Sequence, residues 1–131
     1  MSRILLGVFA LALLVGCSTA SKPNEGSDES IPAGMDKEKI RAAIRDHIVP
    51  IRHCYEKELK ESPDLAGKLL LQFDIDVGGK VASTSVVKSV KPSVDECVAG
   101  VIRNTVFPEP PKGMIGRVVF PFVFNVPQAS N

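Results

Sequence analysis

"KLLLQFDIDVGGKVASTSVVKS", residues 68–89, alternates apolar and polar side chains up to a pair of glycines and then turns back. Leu69, Leu71, Phe73, Ile75 and Val77 alternate with Lys68, Leu70, Gln72, Asp74 and Asp76. That period of two is the mark of a strand with one buried face. Gly78-Gly79 can supply the positive φ angles of a tight two-residue turn, and Val81–Lys88 then returns as a more polar strand. The stretch predicts a β-hairpin. Asp74 and Asp76 fall on its solvent face with no partner ligand nearby, so they read as solvated carboxylates and not as a metal pair.

A helix is expected before the hairpin. Ile40, Ile44, Ile48, Ile51, Tyr55 and Leu59 recur at the spacing of one helical face. Asp36 can cap its start, and "ESPDLAG" (61–67) ends it, because the residue before Pro63 is driven from the α region. Pro50 should kink or divide this helix around His47 to Pro50. A second helix is predicted from Val94 to Thr105, with Ser93 and Glu96 in a capping-box pattern and Val94, Cys97, Val101 and Ile102 on its apolar face. "FPEPPKG" (107–113) connects it to "RVVFPFVFNV" (117–126), where Val118, Phe120, Phe122, Phe124 and Val126 share one side. The order is α-β-β-α-β, a two-layer α+β domain. A helix between strands two and three makes those strands parallel. With strand one between them, the sheet becomes a three-stranded antiparallel one in the order 2-1-3, packed against two helices. Strand three then lies on an edge, which agrees with Pro121 inside it.

The N-terminus has a different character. Arg3 precedes an almost wholly apolar run from Ile4 to Val15, too short to span a bilayer at roughly 20 residues per crossing. It fits a secretory signal peptide, and Leu14-Val15-Gly16-Cys17 resembles a bacterial lipobox, in which the chain is cut before the cysteine and its sulfur is acylated. An ordinary signal peptide cut near Ala20 is the alternative. Residues 1–16 are therefore expected to be a lipoprotein signal, 17–34 a flexible tether with lipidated Cys17, 35–127 the folded domain and 128–131 a tail. The tether has little to bury, and its reach would be about 20–25 Å. Loss of Arg3 takes the 16 Lys+Arg down to 15, balancing the 15 Asp+Glu. A neutral protein argues against nucleic acid. Six Phe, one Tyr and no Trp leave little for stacking on bases or sugars.

"IRHCYEKELKESPDLAGKLLLQFDIDVGGKVASTSVVKS" (51–89), "SVDECVAGVIRNTVFPEPP" (93–111) and "VVFPFVF" (118–124) together resemble the AgmX/PglI type of C-terminal domain, a relative of the TonB C-terminal domain. The points of resemblance are Cys54-Tyr55, Pro63, Gly67, Gly79, Cys97, Phe107-Pro108 and Phe120-Pro121-Phe122. The resemblance implies the αββαβ fold, a periplasmic setting, no enzymatic activity and association with motility or transport machinery of the envelope. TonB-type energy transducers carry an inner-membrane helix and a long Pro-rich span; here a lipid and a short tether stand in their place, which leaves an anchored interaction module. Ser18 is not the aspartate that in many Gram-negative bacteria retains lipoproteins at the inner membrane, so the outer membrane's periplasmic leaflet is favoured.

With Cys17 lipidated, Cys54 and Cys97 remain, an even count in an oxidising compartment. They are expected to form a disulfide, with two buried free thiols as the alternative. A Cys/His nucleophile can be imagined from Cys54 with His53 or His47, but adjacent helical residues diverge and His47 lies across the Pro50 break. No regular metal-ligand spacing appears among these residues, and neither a metal nor a cofactor is expected. The expected function is a lipid-anchored, non-enzymatic module that binds an envelope protein. It does so either along the edge of strand three, at Val119, Pro121, Val123 and Asn125, or, since Pro121 removes one edge donor, through a helix face, the two modes being equally open. A homodimer is compatible with this. The alternative is a structural lipoprotein contacting peptidoglycan, for which Lys57, Lys60, Lys68, Lys80 and Lys88 are available, although interleaved acids make these a solvated surface.

Overall fold

The helical run across residues 40–59 is divided into two helices at His47, within the stretch where Pro50 is expected to kink or divide it. In the computed structural model, which describes Gly16 and residues 28–126, α1 spans Lys37–Asp46 and α2 spans Ile48–Leu59. Asp36 caps α1, its carboxylate accepting from the Lys39 N–H at 3.1 Å. His47 lies between the two helices at φ −108° and ψ 14°. Pro50 falls in the first turn of α2, where an N–H has no helical partner, so the chain restarts there at little cost. The break also turns one member of the expected stripe outward. Ile40, Ile44, Ile51 and Tyr55 are buried, whereas Ile48 is 43% exposed.

Four further elements follow: β1 (Gly67–Ile75), β2 (Val81–Lys88), α3 (Pro92–Arg103) and β3 (Gly116–Phe124). The sheet order is β2-β1-β3 and both pairings are antiparallel. The architecture is thus α+β with an open three-stranded sheet in the order 2-1-3. Strand β1 lies at its centre, burying Leu69, Leu71, Phe73 and Ile75. Buried Val118, Phe122 and Phe124 of β3 extend this apolar face. Buried residues of α1, α2 and α3 join it in one core. Tyr55 stacks on Phe124 with ring centroids 4.9 Å apart and donates its hydroxyl to the Leu65 carbonyl.

Several local expectations are corrected. The hairpin turn is not a two-residue one: β1 stops at Ile75, and Val77 is 65% exposed at the tip. Asp76 donates its N–H to the Lys80 carbonyl at 2.7 Å, and the Gly79 N–H closes on the Asp76 carbonyl at 3.0 Å. Of the two turn glycines, Gly79 alone has positive φ, at 79°. The Asp76 carboxylate accepts from the Gly78 and Lys80 N–H groups, and the Asp74 carboxylate is held by both Arg117 and Ser83. Neither aspartate is simply solvated.

Helix α3 begins with Pro92 at its first turn, and no side chain caps it from the N-cap position, Lys91. The expected capping box is absent. Asp95, 4% exposed, instead accepts from the Val90 and Lys91 N–H groups and from the Ser89 hydroxyl. The buried stripe is Val94, Val98, Ala99 and Ile102, with Cys97 and Val101 only partly buried beside it. Val126, expected inside, is 40% exposed beyond the end of β3.

The folded unit also starts earlier than position 35. Ser30 forms an antiparallel bridge to Val119, Ile31 packs against the core and Met35 is buried. Residues 28–34 therefore belong to the domain and not to a free tether. The expected signal segment before Gly16, the expected lipidation site Cys17 and the tail 128–131 lie outside the described residues.

Candidate partner-binding groove

Strand β3 is an edge strand, and the hydrogen-bond alternation of an antiparallel ladder decides which of its groups face outward. Val119 donates its N–H to the Ser30 carbonyl at 2.8 Å and accepts from the Ser30 N–H at 2.9 Å. Both its backbone groups therefore point away from β1. Pro121 and Val123, two and four residues on, have the same parity and the same orientation. Pro121 stands opposite Leu70, and its missing N–H costs the ladder to β1 nothing. The outward edge from there on offers the Pro121 carbonyl and both backbone groups of Val123. Asn125 follows just after the strand ends.

Of the four expected edge residues, Val119 is thus already engaged by the chain's own Ser30. Pro121 is half-buried, Val123 is 59% exposed and Asn125 is exposed. Two adjoining concavities of about 350 and 270 Å³ run beside this edge, between it and the junction of α1 with α2. Both are lined by Ile48, Ile51, Val123 and Phe124. Tyr55, Arg52, Glu56 and Asn125 complete one end, and Arg41, Arg45, Phe120 and Pro121 the other. An open strand edge facing an apolar helical wall is what an extended peptide needs: backbone partners on one side and a seat for alternate side chains on the other.

Ile48, Arg41, Arg45 and Arg52 were not among the expected site residues. A single signal in the sequence pointed to Ile48: an apolar residue two places before a proline that divides a helix. Arg41 is held by Glu29 and Glu38, which pushes its already high pKa further up. Arg45 and Arg52 are exposed and make no ion pair among the described residues.

The cysteines meet at the opposite side of α2. The Cys54 and Cys97 sulfurs are 2.05 Å apart, with Cα atoms at 5.6 Å, joining α2 to α3 as a disulfide. Glu58 and Lys91 add an ion pair across the same two helices at 2.6 Å. With Cys54 bridged, neither His47 nor His53 has a free thiol beside it. His47 shares a hydrogen bond of 2.9 Å between Nδ1 and the Ala43 carbonyl, and His53 is exposed. Among the described residues, no three His, Cys, Asp or Glu side chains converge as metal ligands, and no helix is long and apolar enough to cross a membrane. No family model matches the chain, and the searches of curated proteins and of solved structures return no match.

Proposed function

We propose that this chain is a lipid-anchored periplasmic interaction module, non-enzymatic, that takes an extended segment of an envelope protein along the outer half of β3. The observation that carries the reading is the groove beside the open half of the β3 edge, lined by Val123 and Phe124 from the strand and by Ile48 and Ile51 from α2. A strand added there gains main-chain hydrogen bonds from the edge and burial from the helical wall. The lipobox-like Leu14-Val15-Gly16-Cys17 and the resemblance to AgmX/PglI-type domains support the anchor at Cys17 and the envelope setting. Anchoring adds a further advantage: it confines the groove close to the membrane surface and so raises its effective concentration toward partners there.

Val123→Pro is the discriminating substitution. The Val123 N–H faces away from β1, so proline removes a donor for the partner while sparing the internal ladder. Cells carrying a C-terminally tagged chain are crosslinked mildly and the captured proteins identified by mass spectrometry. A specific envelope partner present with the parent chain and absent with a folded Val123→Pro chain is the expected result. Unchanged capture would refute binding at this edge. Retention on purified peptidoglycan without a specific protein would favour the structural lipoprotein instead.

A further inference from the structure

The first part of the β3 edge is occupied by the chain itself. Asp28-Glu29-Ser30-Ile31 runs antiparallel to β3, and each of the four residues makes one kind of contact. Ser30 exchanges both backbone hydrogen bonds with Val119, at 2.8 and 2.9 Å. Glu29 grips Arg41 with both carboxylate oxygens, at 2.6 and 3.3 Å. Asp28 pairs with Lys68, the β1 residue opposite Val123, and Ile31 packs against the core. This is strand addition in miniature: a backbone bridge, two acidic anchors and one aliphatic seat.

The attachment is slight. One residue bridges the edge, Ser30 is exposed, and the Arg41 and Lys68 side chains are each more than a third exposed. Ion pairs of that kind hold weakly. Beyond the strap, the groove continues to Arg45 and Arg52, which among the described residues carry no counter-charge. Among the described residues, these arginines thus lie beyond the strap's two acids, with Glu56 the acid that lines the groove beside Arg52.

We propose that Asp28–Ile31 is an intramolecular mimic of the groove's ligand, and that the external partner is an extended protein segment with adjacent acidic residues ahead of a small and an aliphatic residue, which displaces it. The proposal rests on the β3 edge being the binding site and adds the partner's chemistry and a built-in competitor. The strap raises the threshold for binding, so segments without matching acids fail to displace it. Acids that extend toward Arg45 and Arg52 give a partner contacts beyond those that Asp28–Ile31 make.

Fluorescence anisotropy tests this with the full-length chain and a labelled peptide, Gly-Ser-Asp-Glu-Ser-Ile-Pro-Ala, the sequence of residues 26–33. Asp28→Asn combined with Glu29→Gln loosens the strap without touching the core. That double variant should bind the peptide about tenfold more tightly than the parent chain, from the loss of two competing ion pairs. Ser30→Pro, which removes the donor to Val119, should act in the same direction and covers the case in which the double variant folds poorly. A peptide with both acids changed to lysine should not bind, and adding Arg41→Ala to the loosened chain should weaken the acidic peptide. Equal affinity of parent and loosened chains, no binding by either, or equal binding of the lysine peptide would overturn the proposal. So would sedimentation showing a dimer of the parent that dissociates in the loosened chain, because the occupant would then be a second copy exchanging straps. Loss of these peptide effects while cellular capture still depends on Val123 would reject the mimic and leave the edge site standing.

Discussion

A β-carbon on Gly79 would lie 2.3 Å from the Phe107 carbonyl oxygen, a distance no side chain tolerates. Gly79 also has φ +79°, and its carbonyl accepts from the Phe107 N–H at 2.8 Å. The tip of the hairpin is therefore pinned to the chain that leaves α3, and only glycine allows that approach. Gly113 supplies the control, with φ +76° and nothing within 4 Å of the position a β-carbon would take. Gly113→Ala should cost about 1 kcal/mol from the backbone conformation alone. Gly79→Ala adds a clash with backbone that cannot rotate away, and should cost about 3 kcal/mol or more. Urea unfolding of the two variants reads the difference directly; equal midpoints would mean that the Phe107 contact contributes nothing. The glycine pair was visible in the sequence, but the size of the turn was not. That size depends on the Asp76 carboxylate, which takes the Gly78 and Lys80 N–H groups and so stabilises a longer loop.

At the level of elements, the start of α3 shows how a sound sequence signature can be displaced. Ser93-x-x-Glu96 has the spacing of a capping box, yet Pro92 opens the helix and moves Ser93 inside its first turn. The orphan N–H groups of Val90 and Lys91 then turn to the Asp95 carboxylate, which the Ser89 hydroxyl also meets. Glu96, freed from capping, reaches Arg103 at 2.6 Å on the exposed side. Asp95→Ala should cost about 2 kcal/mol, because it strips partners from partly buried donors. Glu96→Ala removes only an exposed pair and should cost a few tenths of a kcal/mol. Thermal unfolding of the two variants distinguishes the assignments; a larger loss for Glu96→Ala would restore the capping box. The helices and strands themselves were legible because apolar spacing fixes which face each buries. The exception, Ile48, follows from where His47 divides the helix, and hydropathy does not encode that position.

Across the whole molecule, the layer order and sheet topology were readable, since a helix between strands two and three and a proline in the last strand leave few arrangements. The strap was not readable, because Ser30 binds through its backbone and leaves no trace in side-chain pattern. Distant parts of the fold are joined by two kinds of tie. The Cys54–Cys97 bridge closes a separation of 43 residues, worth about 4 kcal/mol in the chain-entropy picture. Cys54→Ser with Cys97→Ser should lower stability by up to that amount, measured by denaturant unfolding without reductant; an unchanged midpoint would show that the bridge contributes nothing. Ion pairs form the second kind: Asp28 with Lys68 joins the strap to β1, Glu58 with Lys91 joins α2 to α3, and Asp74 with Arg117 joins β1 to β3. In each, the hydrogen-bonded cation holds the carboxyl below its ordinary value, 3.8 for the aspartates and 4.5 for Glu58, against an opposing push from burial. A carboxyl with a lowered folded pKa stabilises the fold fully above its unfolded value and loses that contribution as pH falls through the folded one. Stability should therefore be nearly level from neutrality to about pH 5 and then fall with acidification as the unfolded chain takes up protons more readily. Asp74→Asn should be less stable than the parent at pH 7 and should converge on it in strong acid, where the parent's Asp74 is also neutral. Melting temperatures across that range decide the matter. A gap between the two proteins that stays constant with pH would show that the Asp74–Arg117 pair contributes through packing and not through charge.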